Sequence, residues 1–115
     1  MSVQPKHGGL FVVDLNPRRG SEAGKIRPVL VIQTDLLNEV GHPSTWILPC
    51  TMRLTGESLL RVALPKGIAG NTADCEIMID QGRAIDNARI NRRLGMLPKS
   101  ILAEVKEKIR RLGEL

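Results

Sequence analysis

Aromatic side chains are nearly absent: 115 residues carry one Phe, one Trp and no Tyr. A core must therefore be built from Val, Ile and Leu, and the aromatic platforms on which single-strand binders stack bases are hard to arrange. Trp46 reads as a core or dimer-interface residue rather than as such a platform. Cysteine is scarce too. Cys50 and Cys75 are too few, and too far apart along the chain, for a secreted disulfide framework or a CxxC metal or redox pair. They are expected to be reduced thiols packed as small apolar groups. Long hydrophobic runs are missing, and the opening MSVQPKHGG has no apolar signal-peptide core. No membrane association and a cytoplasmic location are the expectation.

Several catalytic signatures are missing as well. Gly8 and Gly9 lack the spacing of a phosphate-cradling loop, so no nucleotide cofactor is implied. His7 and His42 stand far apart without Cys or carboxylates in ligand spacing, so no metal is expected. No Ser sits in a GxSxG elbow.

What is present describes one compact domain over residues 1–115, a length that buries a single core. With 42% hydrophobic and 25% charged residues the chain is globular rather than disordered. A formal charge of +5 favours a polyanionic partner without specifying it.

Periodicity predicts strands over residues 9–15, 27–34, 45–51, 58–64 and 75–80, with a short sixth around 84–85. Pro49 argues for an edge or a bulge. Residues 16–26 carry Gly, Pro, Ser and basic side chains without period and read as a long exposed loop. Asp35 is placed to cap a single helical turn that Gly41 and Pro43 end. Ile101, Leu102, Val105, Ile109 and Leu112 recur at helical spacing, with Pro98 at the start and Gly113 at the end. Strands without βαβ alternation, then one amphipathic helix, predict a mostly β (α+β) fold: a small antiparallel barrel or curled sheet with the helix packed against it.

Three segments carry a resemblance. Residues 8–35, GGLFVVDLNPRRGSEAGKIRPVLVIQTD, are similar in order and spacing to the N-terminal signature of the MazF/PemK toxins. LPCT, residues 48–51, resembles that family's P-x-T, and IDQGRAIDNARI, residues 79–90, resembles its third motif. With the terminal helix the resemblance covers nearly the whole chain. It implies an SH3-like β-barrel of the CcdB/PemK kind with a C-terminal helix, a homodimer, and metal-independent cleavage of single-stranded mRNA. The implied reaction is attack of a ribose 2′-OH on the adjacent phosphorus, giving a 2′,3′-cyclic phosphate and a 5′-OH. The implied partner is an acidic antitoxin whose disordered tail folds across the basic groove.

Residue by residue, Arg27 matches the family's catalytic Arg and offers a fork of donors to phosphate oxygens. Thr51 matches its catalytic Thr or Ser. Glu22 orients Arg27, contacts RNA or is simply a solvated loop carboxylate, and Asp80 and Gln81 align with a segment that some members use at the active site. Arg18, Arg19, Ser21 and Lys25 on the first loop, and Arg83, are candidate RNA contacts. Arg83, Asp86 and Arg89 read first as a structural ion-pair network and only second as RNA contacts. Two departures stand out: the PemK branch has a catalytic Arg where this chain has Met78, and a loop His where it has Ser21. An Arg27/Thr51 site is therefore expected. Two rivals share the barrel: a non-enzymatic gyrase poison like the CcdB toxins, and a binding module with an inactive site.

Overall fold

The computed structural model describes residues 3–17, 20–21 and 25–115. Their order is β1 (Gly9–Asp14), β2 (Ile26–Val31), α1 (Asp35–Glu39), β3 (Ser44–Thr51), β4 (Arg61–Leu64), β5 (Cys75–Met78), β6 (Arg83–Asp86), β7 (Ile90–Met96) and α2 (Lys99–Leu112). All strand pairs are antiparallel, in the order β4-β5-β3-β2-β1-β7, with β6 also pairing β3.

The central strands read as continuous apolar runs because both of their faces are covered. On one face Leu10, Leu30, Leu48, Cys50 and Ile77 pack with Val105 of α2. On the other, Phe11, Val13, Val29, Val31, Ile47, Ile85 and Ile90 form a second cluster. Each such side chain contributes about 1.5–3 kcal/mol through removal from water. Helix α2 lies where its period predicts, with Ile101, Leu102 and Ile109 against the first cluster. Leu112 runs past the sheet and is exposed. Gly113 ends the helix, its N–H donating to Ile109 O at 2.9 Å.

The order of strands predicts a barrel or curled sheet, and the edges β4 and β7 do not pair, so the barrel is open. The loop after β4 approaches the end of β7 instead. A Cβ on Gly70 would sit 2.6 Å from the Leu94 carbonyl oxygen, and one on Gly95 2.6 Å from that of Ala69. Only glycine lets the two backbones meet so closely.

Strand β7 has no counterpart among the predicted strands. It pairs with β1 through two register shifts, between Leu10 and Phe11 and between Val12 and Val13. Such bulges break the two-residue alternation, and Arg92 and Arg93 are tolerated because the strand lies at an edge. The fourth strand begins at Arg61 rather than Ser58, and the fifth turns into a 3₁₀ segment at Ile79–Gln81. The cap of α1 is Thr34, whose Oγ1 accepts from Leu36 N at 3.2 Å. Asp35 instead accepts from His7 N at 2.8 Å and Asn38 Nδ2 at 3.1 Å, tying the N-terminal segment down. Among the described residues no helix is long and apolar enough to cross a membrane.

Candidate active site

The site arises where the β2–β3 ladder stops. Val31 faces Ile47, Leu30 faces Leu48 and Val29 faces Pro49. Carried two steps further, that register sets Pro28 opposite Cys50 and Arg27 opposite Thr51. Pro28 has no N–H to give the Cys50 carbonyl, so the pairing ends. That carbonyl accepts instead from Arg27 Nη1 at 3.2 Å. The catalytic-motif Arg thus takes the place of a missing ladder bond, and Thr51 lies beside it on the same face of the sheet.

Pro49 is neither at an edge nor in a bulge. Trp46 turns its backbone toward β2: its N–H donates to Gln33 Oε1 and its carbonyl accepts from Ile32 N. Backbone groups alternate sides along a strand, so the Pro49 nitrogen faces the opposite flank. There β6 pairs with residues 44–47 and β5 with Cys50 and Thr51. The proline sits in the gap between these two partners, where its missing donor costs no bond.

Arg27 and Thr51 line one open cleft of about 220 Å³ together with Lys25, Arg53, Ile26, Met52, Cys50 and Cys75. The described lining holds three cations and no carboxylate, a field suited to phosphate. Ile26 and Met52, 60% and 72% exposed, give an apolar rim against which sugar and base surfaces can rest. A phosphodiester with part of a sugar fits a cleft of this volume. Thr51 Oγ1 accepts from Arg53 N at 3.1 Å. A hydroxyl held as acceptor there turns its own hydrogen elsewhere, leaving it available to a bound oxyanion.

Lys25 stands at the mouth with φ of 70°, a left-handed conformation unusual for a residue with a Cβ. Two bonds hold it: Lys25 N donates to Asn16 Oδ1 at 2.8 Å, and its carbonyl accepts from Leu15 N at 2.8 Å. Ser21 is exposed and does not line the cleft. Arg18, Arg19 and Glu22 lie outside the described residues.

Asp80, Gln81 and Arg83 are not brought to this cleft within the chain. Asp80 and Gln81 occupy the 3₁₀ turn beyond β5, and Arg83 faces Ile47 on β6. Cys75, at the other end of β5, is the strand's contribution to the cleft, so Asp80 is displaced by about 14 Å along the chain. Arg89 donates to the carbonyls of Asp14 and Asn16, and Asp86 accepts from Ala88 N at 2.8 Å; both brace the backbone. Trp46 is 47% exposed and does not belong to the core. It borders a separate hollow with Ile109, Lys106 and Arg110 of α2. Among the described residues no three His, Cys, Asp or Glu side chains converge as metal ligands would.

Sequence reasoning missed Glu76, which faces Thr51 across β3 and β5. Alternation in CEIMID marks it as a solvent-facing strand residue, but the loop after β3 folds over it. Its carboxylate accepts from Thr55 N at 3.1 Å, Thr55 Oγ1 at 3.1 Å and Gly56 N at 2.9 Å, and pairs with Arg61 at 3.1 Å. Burial pushes this carboxyl up, but the bonds from Gly56 and Thr55 and the Arg61 charge outweigh it and hold it below its ordinary 4.5. Glu76 thereby anchors the loop that begins with the cleft residues Met52 and Arg53. A carboxyl with a lowered folded value stabilises above pH 4.5 and loses that contribution as pH falls through the lowered value. Glu76→Gln is expected to lower stability at neutral pH by about 1–3 kcal/mol and to flatten the acid limb of a Tm-against-pH curve. Equal Tm curves for variant and parent below and above pH 4.5 would refute the tether.

Comparison with known proteins decides the family. The family profile described as PemK-like, MazF-like toxin of type II toxin-antitoxin system matches residues 6–113. This chain belongs to that family. Endoribonuclease EndoA of Bacillus subtilis is 32% identical over 103 residues, covering 89% of this chain and 88% of its own. Endoribonuclease MazF9 of Mycobacterium tuberculosis is 29% identical over 109 residues, covering 91% and 92%. In structure, MazF from Deinococcus radiodurans superposes with a TM-score of 0.85 at 28% identity over 98% of this chain and 99% of its own. The MazE-MazF complex of the same organism gives 0.78 at 28% identity, with the same coverage. Within the MazF/PemK frame, the residue standing for the PemK-branch Arg, Met78, is buried at the end of β5 and supplies no donor.

Proposed function

We propose that this chain is the toxin of a type II toxin–antitoxin pair and a sequence-specific endoribonuclease that cleaves single-stranded mRNA without a metal. The observation that carries this reading is the convergence of Arg27 and Thr51 on one cation-lined cleft. The naming of EndoA and MazF9 as endoribonucleases supports it. The nucleophile belongs to the substrate: a ribose 2′-OH attacks the adjacent phosphorus, the 5′-oxygen leaves, and a 2′,3′-cyclic phosphate and a 5′-OH remain. Negative charge grows on the phosphorane oxygens, where the Arg27 guanidinium and the Thr51 hydroxyl stabilise it. Lys25 and Arg53 hold flanking phosphates and set the strand's register without reading sequence.

The partner is an acidic antitoxin segment, supported by the MazE-MazF complexes of the Deinococcus radiodurans relative. A homodimer would bring a second basic cleft alongside the first, and Asp80, Gln81 and Arg83 would then act from the neighbouring copy. The test is incubation of purified protein with total RNA in EDTA, with the new ends mapped. Discrete fragments bearing 2′,3′-cyclic phosphates are expected; intact RNA, or cleavage only on adding a divalent metal, would overturn the proposal.

A further inference from the structure

The two cysteines have no part in the chemistry above, yet they meet at the cleft. Cys50 pairs with Ile77, so Cys75 lies two residues away, diagonally across β3 and β5 and on the same face. Both line the cleft beside Arg27 and Thr51. We propose that Cys50 and Cys75 form an oxidisable dithiol, which hydrogen peroxide closes to a disulfide that disables Arg27 and Thr51.

Their surroundings assign the roles. Cys75 Sγ accepts from Asn71 Nδ2 at 3.9 Å. The neighbouring Cys50 thiol foremost, with Asn71 adding to it, holds the Cys75 thiol below its ordinary value despite burial and Asp74. The neighbouring Cys75 thiol and full burial push Cys50 up. Of the two, Cys75 ionises more readily and is the one that reacts first. It borders both the cleft and a second hollow beside Leu54, Ala63 and Asp74, and being almost wholly covered it admits a molecule the size of hydrogen peroxide and excludes a bulky disulfide oxidant.

The steps balance. The Cys75 thiolate attacks one peroxide oxygen, the O–O bond breaks, and the departing oxygen takes a proton to leave as water. The resulting Cys75 sulfenic acid is attacked at sulfur by Cys50, which loses its proton as the S–S bond forms and a second water leaves. Two thiols are oxidised and one peroxide is reduced.

The consequence for the cleft follows from distance. A disulfide needs Cα atoms about 5.5–6 Å apart, whereas diagonal neighbours on antiparallel strands stand about 7–8 Å apart. Closing the bond thus draws Cys50 and the start of β5 together by about 1–2 Å. Cys50 carries the carbonyl that holds Arg27, and its neighbour is Thr51. A misplacement of about 1 Å costs a catalytic group on the order of a hundredfold in rate.

The activity arm of this inference rests on the nuclease reading; the chemistry arm does not. Purified protein is treated with hydrogen peroxide and assayed by intact mass, thiol titration and RNA cleavage. A mass lower by two hydrogens, loss of both titratable thiols and a roughly hundredfold slower cleavage are expected, all reversed by dithiothreitol. Cys50→Ser and Cys75→Ser, each compared with its own untreated sample, should show no such mass change and no reversible loss of rate. Two thiols still titratable after treatment, or a fully disulfide-bonded sample cleaving at the untreated rate, would overturn the proposal. RNA left intact by the untreated protein would count against the nuclease reading alone, since closure of the pair is read by mass.

Discussion

Arg27→Ala is expected to slow RNA cleavage by about 10²–10³-fold, the loss that follows removal of one preorganised donor from a developing oxyanion. The side chain starts half-buried, with Nη1 on the Cys50 carbonyl, so it is held in place before substrate arrives. Little reorganisation is then needed as charge builds on phosphorus. The loss should fall on kcat more than on KM, since Lys25 and Arg53 still attract the strand. Arg27→Lys should recover little: a compact ammonium cannot span the Cys50 carbonyl and a phosphate oxygen with a planar fork. Folding should survive, because the bond to Cys50 is worth about 1 kcal/mol. Single-turnover cleavage of a defined oligonucleotide, with Tm recorded beside it, checks all three statements. An Arg27→Ala protein that folds and cuts at the parental rate would remove Arg27 from the site.

Thr51→Val keeps the shape of the side chain and deletes its hydroxyl. Cleavage should fall by about ten- to a hundredfold, as expected for one hydrogen bond to a charged group. The same change strips Arg53 N of its acceptor, so the turn that carries Met52 and Arg53 loosens as well. Thr51→Ser restores both functions of the oxygen and should return most of the rate. The serine variant therefore separates the hydroxyl from the methyl. If valine and serine variants cleave alike, the alcohol has no chemical part, and Thr51 is a β-branched residue at the end of a strand.

Much of the architecture was legible from pattern alone. The runs around Val13 and Leu30 are apolar at every position because they are buried from both sides, and the spacing of Ile101, Val105 and Ile109 marks the one face of α2 that meets the sheet. Strand β7 was not legible, since its two bulges against β1 erase alternation and Arg92 and Arg93 dilute it. Pro49 misled for a related reason: a proline forbids a ladder bond only on the flank its nitrogen faces, and that flank depends on where β5 and β6 end. Glu76 looked like a solvent-facing strand residue because nothing in CEIMID reveals the loop that folds over it. Asp80 and Arg83 belong to the third resembling segment, yet the chain carries them into the 3₁₀ turn after β5 and onto β6, away from the cleft.

Local chemistry, then, is written along the chain: which segments extend, which one coils, and which cation and which alcohol carry the family's motif. Their meeting is a property of the folded molecule. Arg27 comes to Thr51, and Cys50 to Cys75, only because strands distant in sequence pair in one register, and register is set by the burial of whole faces and by where a proline ends the ladder.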